Sequence, residues 1–489
     1  MLRALLLVVI FLSGCQQDIE MSVVRFGLQS APITLDPRMA TDASAERINR
    51  LIYKALVDVD EKLETVPGLT TWQMITPVHY RFTLKPNISR FHNGAELTTQ
   101  DILACYEYIL DIKNASPHQG NLAHIKNIKV LDDTRVDFYL SRKDILFPSK
   151  LSIGIPSAAS AGIGNGTFKI INRDSMATVI LQRIADKQLF EFVHVSDPSI
   201  RVLKLLRGEL DIIQNDLSSE LIGYLKNKDE VLLQSNKGST FSYIGFNMDD
   251  PLTSDQQLRK SISLAINRQQ LINTLLGGRA ELSHSVLPLQ HWARKMKMPT
   301  FSYQPEQAKA ILLKAGYDDN NRPHIIYKTT TDPLRLRIAT VIQQQLSEVG
   351  IEMEIRSYDW GTFYGDIKSG NFQMYSLSWV GINSPDIYQT VFHSDSVPPK
   401  GANRGRYKNA VVDKLLDDVF SMTTDTQLLA ESIDSVQRVL LEDLPYIPLW
   451  FEDNIAITSK RIQGYSLSLN GNYDALSKVS LVPVIKGEH

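Results

Sequence analysis

The stretch that decides the fold class is LRIATVIQQQLSEVGIEMEIR, residues 336–356. Residues 336–349 carry apolar side chains at helical spacing. Gly350 ends that pattern, and from Ile351 onward apolar and charged residues alternate with the period of two that a half-buried strand requires. A helix that passes into a strand through one glycine is typical of α/β proteins. We therefore predict an α/β fold.

Segments on both sides of this stretch continue the alternation of helices and strands. Residues 79–85 alternate like a half-buried strand, and Thr98 with Asp101 forms a capping pair that begins a helix. Further predicted elements are a helix capped by Ser254 and Gln257 and stopped by Gly277-Gly278, a helix over 305–316, a strand over 372–379, and helices over 411–420 and 428–441. No repeat or low-complexity tract interrupts them, so we expect a chain that is folded throughout.

The chain begins with an apolar segment that ends in Leu12-Ser13-Gly14-Cys15. This segment is far shorter than the roughly 20 apolar residues of a membrane-spanning helix, and its length is typical of a signal peptide. We predict a signal peptide at residues 1–14, cleavage before Cys15, and a lipid anchor on Cys15 that holds the protein at a periplasmic or cell-surface membrane face. The alternatives are an uncleaved anchor and a buried first helix.

The composition is that of a globular protein, with 43% hydrophobic and 22% charged residues among 489. A formal net charge of −2 and the lack of a basic stripe argue against a nucleic-acid partner. Only two cysteines occur, so a lipid on Cys15 leaves Cys105 without a disulfide partner. Cys105 lies on the apolar side of a helical pattern, which favours a buried hydrophobe over a reactive thiol.

Common catalytic motifs are absent from the sequence. It contains no G-x-S-x-G, Walker, H-E-x-x-H or C-x-x-C pattern. The closest histidine pairs, His118 with His124 and His284 with His291, lack the four-residue spacing that places two imidazoles on one helical turn. We therefore predict that the protein is not an enzyme and has neither a metal site nor a cofactor.

Several short blocks, taken together, resemble one protein family. Residues 243–248 (YIGFNM), 258–262 (LRKSI) and 265–268 (AINR) look like the central signature of solute-binding protein family 5 of ABC importers, which includes oligopeptide, dipeptide and nickel binding proteins. The other blocks follow in the family's order at 34–38, 80–85 with 91–94 and 99–101, 164–168, 208–211, 308–309 with 315–317, and 445–449.

The resemblance implies a two-lobed, periplasmic-binding-protein-like fold of type II. Lobe I is expected from residues 22–45, 164–245 and 449–489, with an extra subdomain at 46–163, and lobe II from residues 246–448. The ligand is expected between the lobes. It shifts the equilibrium between the open and closed forms only by the amount by which it binds the closed form more tightly. An ABC permease is then expected to sense the closure of the lobes. We expect the receptor to be a monomer.

The resemblance also directs attention to the segment from Trp379 to Asp386. In the family's peptide binders an aspartate three positions after the tryptophan pairs with the α-ammonium group of the peptide. Ile382 stands at that position and offers no charge-assisted hydrogen bond. Either another acid such as Asp386 holds the ammonium group, or the ligand is not a peptide with a free amino group. Alternatively, Trp379 is only a core aromatic.

The other ligand-binding candidates rest on the same resemblance. They are Ala31, Pro32, Ile33, Trp360, Ser378, Asn383, Arg404 and Trp450. Residues 31–33 match a segment that offers backbone groups to an extended ligand, although Pro32 removes one donor. Trp360 and Trp450 are expected as apolar walls. Arg404 has two interpretations, a contact for a ligand carboxylate or a solvated surface cation.

These observations predict a lipid-anchored extracytoplasmic receptor that binds peptides or peptide-like solutes for an ABC importer. One alternative within the family is a receptor for a metal chelate or another non-peptide solute. Another is a sensor that keeps the fold without transport.

Overall fold

The computed structural model describes residues 23–160, 162–175, 178–294, 302–382, 384–422 and 426–482. The predicted signal peptide, Cys15 and the candidate Asn383 lie outside these residues. Within them, no helix has both the length and the apolar character needed to cross a membrane.

The strands of the described chain follow in sequence order. They are β1 (Val24–Leu28), β2 (Val57–Val59), β3 (Thr65–Pro67), β4 (Thr70–Thr76), β5 (His79–Leu84), β6 (Ile125–Val130), β7 (Arg135–Leu140), β8 (Phe168–Ser175), β9 (Thr178–Arg183), β10 (Leu189–His194), β11 (Ile212–Gln214), β12 (Val231–Phe246), β13 (Ala280–Leu282), β14 (His324–Thr330), β15 (Glu352–Tyr358), β16 (Met374–Trp379), β17 (Tyr446–Ser459), β18 (Ile462–Gln463) and β19 (Ser480–Leu481).

The α-helices of the same residues alternate with these strands. They are α1 (Ala43–Ile52), α2 (Thr99–Leu110), α3 (Gln119–Leu122), α4 (Pro198–Leu206), α5 (Ser219–Lys226), α6 (Gln256–Ala265), α7 (Arg268–Leu275), α8 (Pro305–Lys314), α9 (Pro333–Glu348), α10 (Trp360–Ser369), α11 (Ile387–Phe392), α12 (Ala410–Met422) and α13 (Thr426–Asp443). The helix α9 that leads through Gly350 into β15 confirms the element pattern predicted from the opening stretch.

One large mixed sheet is shared by two lobes. Its order is β15-β14-β16-β12-β17-β11-β1-β10-β9-β8, with β13 against β17. The long strands β12 and β17 are antiparallel partners at its centre. The last residues of β12 pair with β16, whereas β11 pairs with the last residues of β17, at the opposite end of this two-stranded ribbon. Each lobe is therefore built on one end of the same two strands, as the predicted two-lobed fold requires.

The pairing of β12 changes register between Asn236 and Thr240 and again between Ser242 and Tyr243. Such irregularities bend a strand and increase its twist. Residues 241–246 of β12 pair with β16. The predicted ranges place β16 in lobe II but residues 241–245 in lobe I, so this pairing crosses the predicted boundary. The predicted ranges of the lobes stay predictions.

A separate four-stranded antiparallel sheet, in the order β4-β5-β7-β6, forms the core of the extra subdomain. Phe82, Tyr106 and Phe138 are fully buried between this sheet and α2. Thr98 and Asp101 form the predicted capping box at the start of α2. Cys105 is buried, and its burial raises the pKa of the thiol to about 12, which confirms the prediction of a small buried hydrophobe.

The predicted helix between Ser254 and Gly278 is wrong in two details. Asp255, not Ser254, caps α6, because its carboxylate accepts the backbone N–H of Gln257. The hydroxyl of Ser254 instead donates to the carbonyl of Pro251. The segment then divides into α6 and α7, and Asn267 caps the second helix. A new cap inside an apolar helical pattern is therefore the signal for two helices.

Candidate solute-binding site

A cavity of about 410 Å³ lies between the two lobes. One wall is formed by α1, by residues 118–122 and by residues 149–154. The opposite wall is the segment from Trp379 to Thr390, which connects β16 to α11. The cavity therefore contacts parts of the chain that are distant in sequence, as is common for ligand sites at domain interfaces.

Two predicted residues, Trp379 and Ile382, lie at the end of β16 and just after it, and their side chains have different surroundings. Gly381 adopts a left-handed backbone conformation, with φ of 70°, and the chain turns there. Ile382 then enters the apolar core of the second lobe and is only 4% exposed, although it still contributes to the cavity wall. Trp379 faces the cavity, and its indole Nε1 is buried without a hydrogen-bond partner among the described residues. Trp379 therefore lies between the apolar core and the cavity.

Asp386 faces the cavity and forms an ion pair with the other wall. The ammonium group of Lys150 lies 3.6 Å from its carboxylate and also donates to Asp144 at 2.7 Å. Beside this pair, the hydroxyl of Ser149 donates to that of Ser384 at 3.2 Å. These polar contacts join the extra subdomain to the second lobe across the cavity.

The ion pair between Lys150 and Asp144 is buried. Asp144 is 4% exposed, and His124 lies 2.9 Å from its carboxylate. Burial opposes the charge on Asp144, but Lys150 and His124 outweigh it and hold the pKa of the carboxyl well below its usual range. Burial likewise opposes the charge on Lys150, but Asp144 and then Asp386 raise the pKa of its ammonium group.

Arg404 lies behind Trp379, and the interpretation of a solvated surface cation is wrong because only 8% of the residue is exposed. Its guanidinium group stacks 4.4 Å from the centroid of Trp379 and donates to the hydroxyls of Tyr243 and Tyr364 at 3.3 and 3.2 Å. It has no ion pair with a carboxylate in the described residues. Burial opposes its charge, but the surrounding tyrosines, first Tyr243, raise the pKa of the guanidinium.

Ser378 belongs to a polar network at the junction of the lobes that sequence reasoning missed. Its hydroxyl lies 2.7 Å from that of Ser242, which donates to Glu452 at 2.6 Å. Arg335 donates to the same carboxylate at 2.9 Å. Burial opposes the charge on Glu452, but Arg335 and Ser242 lower the pKa of the carboxyl. These residues come from four separate elements, and no short motif contains them.

The remaining candidates do not line the cavity. Trp450 is fully buried in the core and donates to Glu452 at 3.4 Å, so the expectation of an apolar cleft wall is corrected. Trp360 is 46% exposed and stacks on Tyr364 with ring centroids 5.2 Å apart. Trp360 thus packs against Tyr364, whose hydroxyl accepts a hydrogen bond from Arg404.

The segment of Ala31, Pro32 and Ile33 lies beyond the end of β1. Pro32 is buried, whereas Ile33 is 60% exposed, and its backbone N–H donates to Asp42 at 3.2 Å. That donor is therefore already engaged. Gln29, which no sequence motif singles out, precedes this segment, and its side chain donates to Asp332 of the second lobe at 2.9 Å.

Helix α1 supplies charged residues to the cavity that no motif predicts. Arg50 pairs with Asp58 at 2.7 Å and with Asp474 at 3.0 Å. Glu46 is exposed to the cavity, where partial desolvation and the nearby Asp42 raise the pKa of its carboxyl. In the chain as described, no group of three His, Cys, Asp or Glu side chains is arranged to hold a metal ion.

The profile of the family Bacterial extracellular solute-binding proteins, family 5 Middle, matches residues 64–398, which is more than half of the chain. The chain belongs to this family. The resemblance drawn from the short sequence blocks is thereby confirmed. In a solute-binding protein, the ligand site is expected to be enclosed between two lobes.

Relatives in family 5 cover nearly the whole chain. The oligopeptide-binding protein AppA of Bacillus subtilis (strain 168) is 24% identical over 95% of this chain and 95% of that protein. The solved structure of AppA in complex with a nonapeptide has a TM-score of 0.85 at 22% identity, covering 94% of this chain and 99% of that one. NikZ from Campylobacter jejuni, solved in complex with Ni(L-His), has a TM-score of 0.82 at 21% identity, with 94% and 99% covered. The fold is that of a family 5 protein.

Proposed function

We propose that this protein is a receptor that binds peptides or peptide-like solutes outside the cytoplasm and presents them to an ABC importer. The observation that carries the proposal is the cavity between the lobes, whose walls are joined by Lys150 with Asp386 and by Ser149 with Ser384. A ligand in this cavity contacts both walls and so favours the closed form. Relatives named as oligopeptide-binding and murein peptide-binding proteins support a peptide ligand.

We further propose that Asp386 takes the role that Ile382 cannot fill. Lys150 is shared between two carboxylates, and its distance of 3.6 Å to Asp386 is longer than a direct hydrogen bond. The carboxylate of Asp386 therefore keeps oxygen lone pairs available for an ammonium group of the ligand. Trp379, on the same wall, offers an aromatic surface of the kind that attracts cations.

The ligand class is tested by thermal unfolding of the purified protein with a peptide pool and, separately, with a nickel–histidine chelate. A ligand that binds the folded state raises the melting temperature. We expect the peptide pool alone to do so. A rise with the chelate alone contradicts the peptide proposal and favours a chelate receptor, and a rise with neither favours a sensor that does not bind these solutes.

The role of Asp386 is tested with Asp386→Asn. We expect at least tenfold weaker binding of a peptide with a free amino group, because a charge-assisted hydrogen bond is lost, and no change for its N-acetylated form. Asp395→Asn, which changes an exposed carboxylate outside the cavity, serves as the control. Equal loss for both peptides contradicts recognition of the ammonium group by Asp386.

The proposed lipid anchor on Cys15 has an independent test. Metabolic labelling with a radioactive fatty acid is expected to mark the wild-type chain and not Cys15→Ser, and the variant is expected in the soluble extracytoplasmic fraction. Label retained by Cys15→Ser contradicts the anchor. The absence of enzymatic activity, which we also propose, is checked by incubating the protein with peptides and measuring hydrolysis.

A further inference from the structure

Buried polar atoms without a hydrogen-bond partner in the described part of the chain lie on the side of the cavity that α1 and residues 118–122 form. Both Oδ1 and Nδ2 of Asn49 are buried and unpaired, as are Nε of Arg47 and Nε2 of His118. All three residues contact the same cavity, and Asn49 is only 4% exposed. Buried side-chain polar atoms usually have a hydrogen-bond partner, and Asn49 lacks one at both polar atoms of its side chain among the described residues.

The fold does not use the side chain of Asn49. The hydrogen bond that ends α1 involves its backbone carbonyl, which accepts the N–H of Tyr53 at 2.8 Å. Asn165 gives the contrast, because its Oδ1 accepts the backbone N–H of Lys54 at 2.9 Å and so fixes the chain that follows α1. A leucine or alanine at position 49 would remove the desolvation penalty of the amide without losing a bond. A carboxamide at this position therefore points to a partner outside the chain.

We propose that Asn49 binds one main-chain peptide unit of the ligand, with Oδ1 accepting the peptide N–H and Nδ2 donating to the peptide carbonyl. This inference rests on the proposed peptide-binding function and deepens it. A carboxamide presents one donor and one acceptor edge, and so does a peptide unit, whereas an ester has no N–H. The contact is independent of the ligand's side chains, as suits a receptor for varied peptides.

Arg47 and His118 line the same cavity as Asn49. Nε of Arg47 is a donor, since a guanidinium group has no acceptor. Burial lowers the pKa of His118, so its ring is neutral at pH 7 and adds no second positive charge. Arg47 thus adds a hydrogen-bond donor to the cavity, and His118 adds a neutral ring.

The test uses oligoalanines of three to five residues and their single-ester analogues with wild-type protein, Asn49→Leu and Asn121→Leu. Asn121 lies on the same cavity but has an exposed side chain, and this variant is the matched control. For Asn49→Leu we expect a melting temperature without ligand that is about 1–2 °C higher, because a buried unpaired amide is removed, and about tenfold weaker oligoalanine binding. We also expect the wild-type preference for amide over ester at one position to disappear.

Each outcome decides the inference. If Asn49→Leu binds oligoalanines as tightly as the wild type, or melts at a lower temperature with unchanged affinity, Asn49 has a structural role and the inference is overturned while the proposed function stands. If Asn121→Leu gives the same loss, the effect is not specific to Asn49 and the inference also fails. If the wild-type protein binds no peptide at all, the proposed function fails and the inference fails with it.

Discussion

Lys150, which is partly buried, and Arg404, which is buried, are two cations that approach the same cavity wall in different ways. Lys150 reaches across from the extra subdomain and is held by the carboxylates of Asp144 and Asp386. Arg404 lies behind that wall, within the second lobe, and is held by tyrosine hydroxyls and by the ring of Trp379. Removal of the lysine leaves a buried negative charge, whereas removal of the arginine leaves only neutral hydroxyls.

The two cations therefore contribute differently to the structure. Lys150 joins the two walls of the cavity through its ion pair with Asp386. Arg404 stacks on Trp379 within one lobe and so restricts the orientation of that ring. Neither contribution follows from the identity of the residue alone.

The largest expected effect is that of Lys150→Met on stability. We expect a loss of about 3–5 kcal/mol in the free energy of unfolding, because the buried carboxylate of Asp144 loses its main counter-charge. Urea unfolding measures the change. Lys143→Met, at an exposed lysine nearby, is the control and is expected to change stability by less than about 0.5 kcal/mol.

The double variant Asp144→Asn/Lys150→Met sharpens this result. Since both charges are then absent, we expect most of the stability lost in Lys150→Met to return. If the double variant is as unstable as Lys150→Met, the loss comes from packing of the lysine side chain and not from the unpaired charge.

A smaller effect is expected in acid. The pKa of Asp144 lies below its ordinary value of 3.8, so the carboxyl contributes stability that is present above about that pH and is lost as the pH falls below it toward the lowered pKa. The wild type is therefore expected to lose stability below pH 4 more steeply than Asp144→Asn/Lys150→Met, by up to about 1.4 kcal/mol per pH unit. Urea titrations at several pH values measure both slopes, and equal slopes contradict the assignment.

Local features of the fold could be predicted from the sequence because their causes are local. The capping box of Thr98 and Asp101 and the glycine between α9 and β15 act within a few residues of themselves. The same reasoning failed at Ser254 because the neighbouring Asp255 is an equally good cap. Choosing between adjacent caps requires the position of the preceding turn.

The candidate site was less predictable because its residues meet only through the tertiary fold. Arg404 lies in the polar stretch Asn-Arg-Gly-Arg, which is typical of a surface loop, yet tyrosines from separate elements enclose it. Trp450 follows the motif block that ends at residue 449, but its strand faces the core. Lys150 and Asn49 belong to no motif, and only the shared cavity makes them candidates.

The smallest expected effect on stability is that of Arg404→Met, which is the other half of the comparison. No buried carboxylate is left unpaired, and methionine restores part of the packing, so we expect the free energy of unfolding to fall by only about 1 kcal/mol. Arg404→Lys is expected to be more destabilising than Arg404→Met, because the ammonium group keeps the buried charge but loses the planar stacking on Trp379 and the geometry for two tyrosine hydroxyls. Urea unfolding measures both variants, and near-ultraviolet circular dichroism reports the environment of Trp379. If Arg404→Lys is the more stable of the two, the positive charge itself stabilises the lobe, and the contrast with Lys150 does not hold.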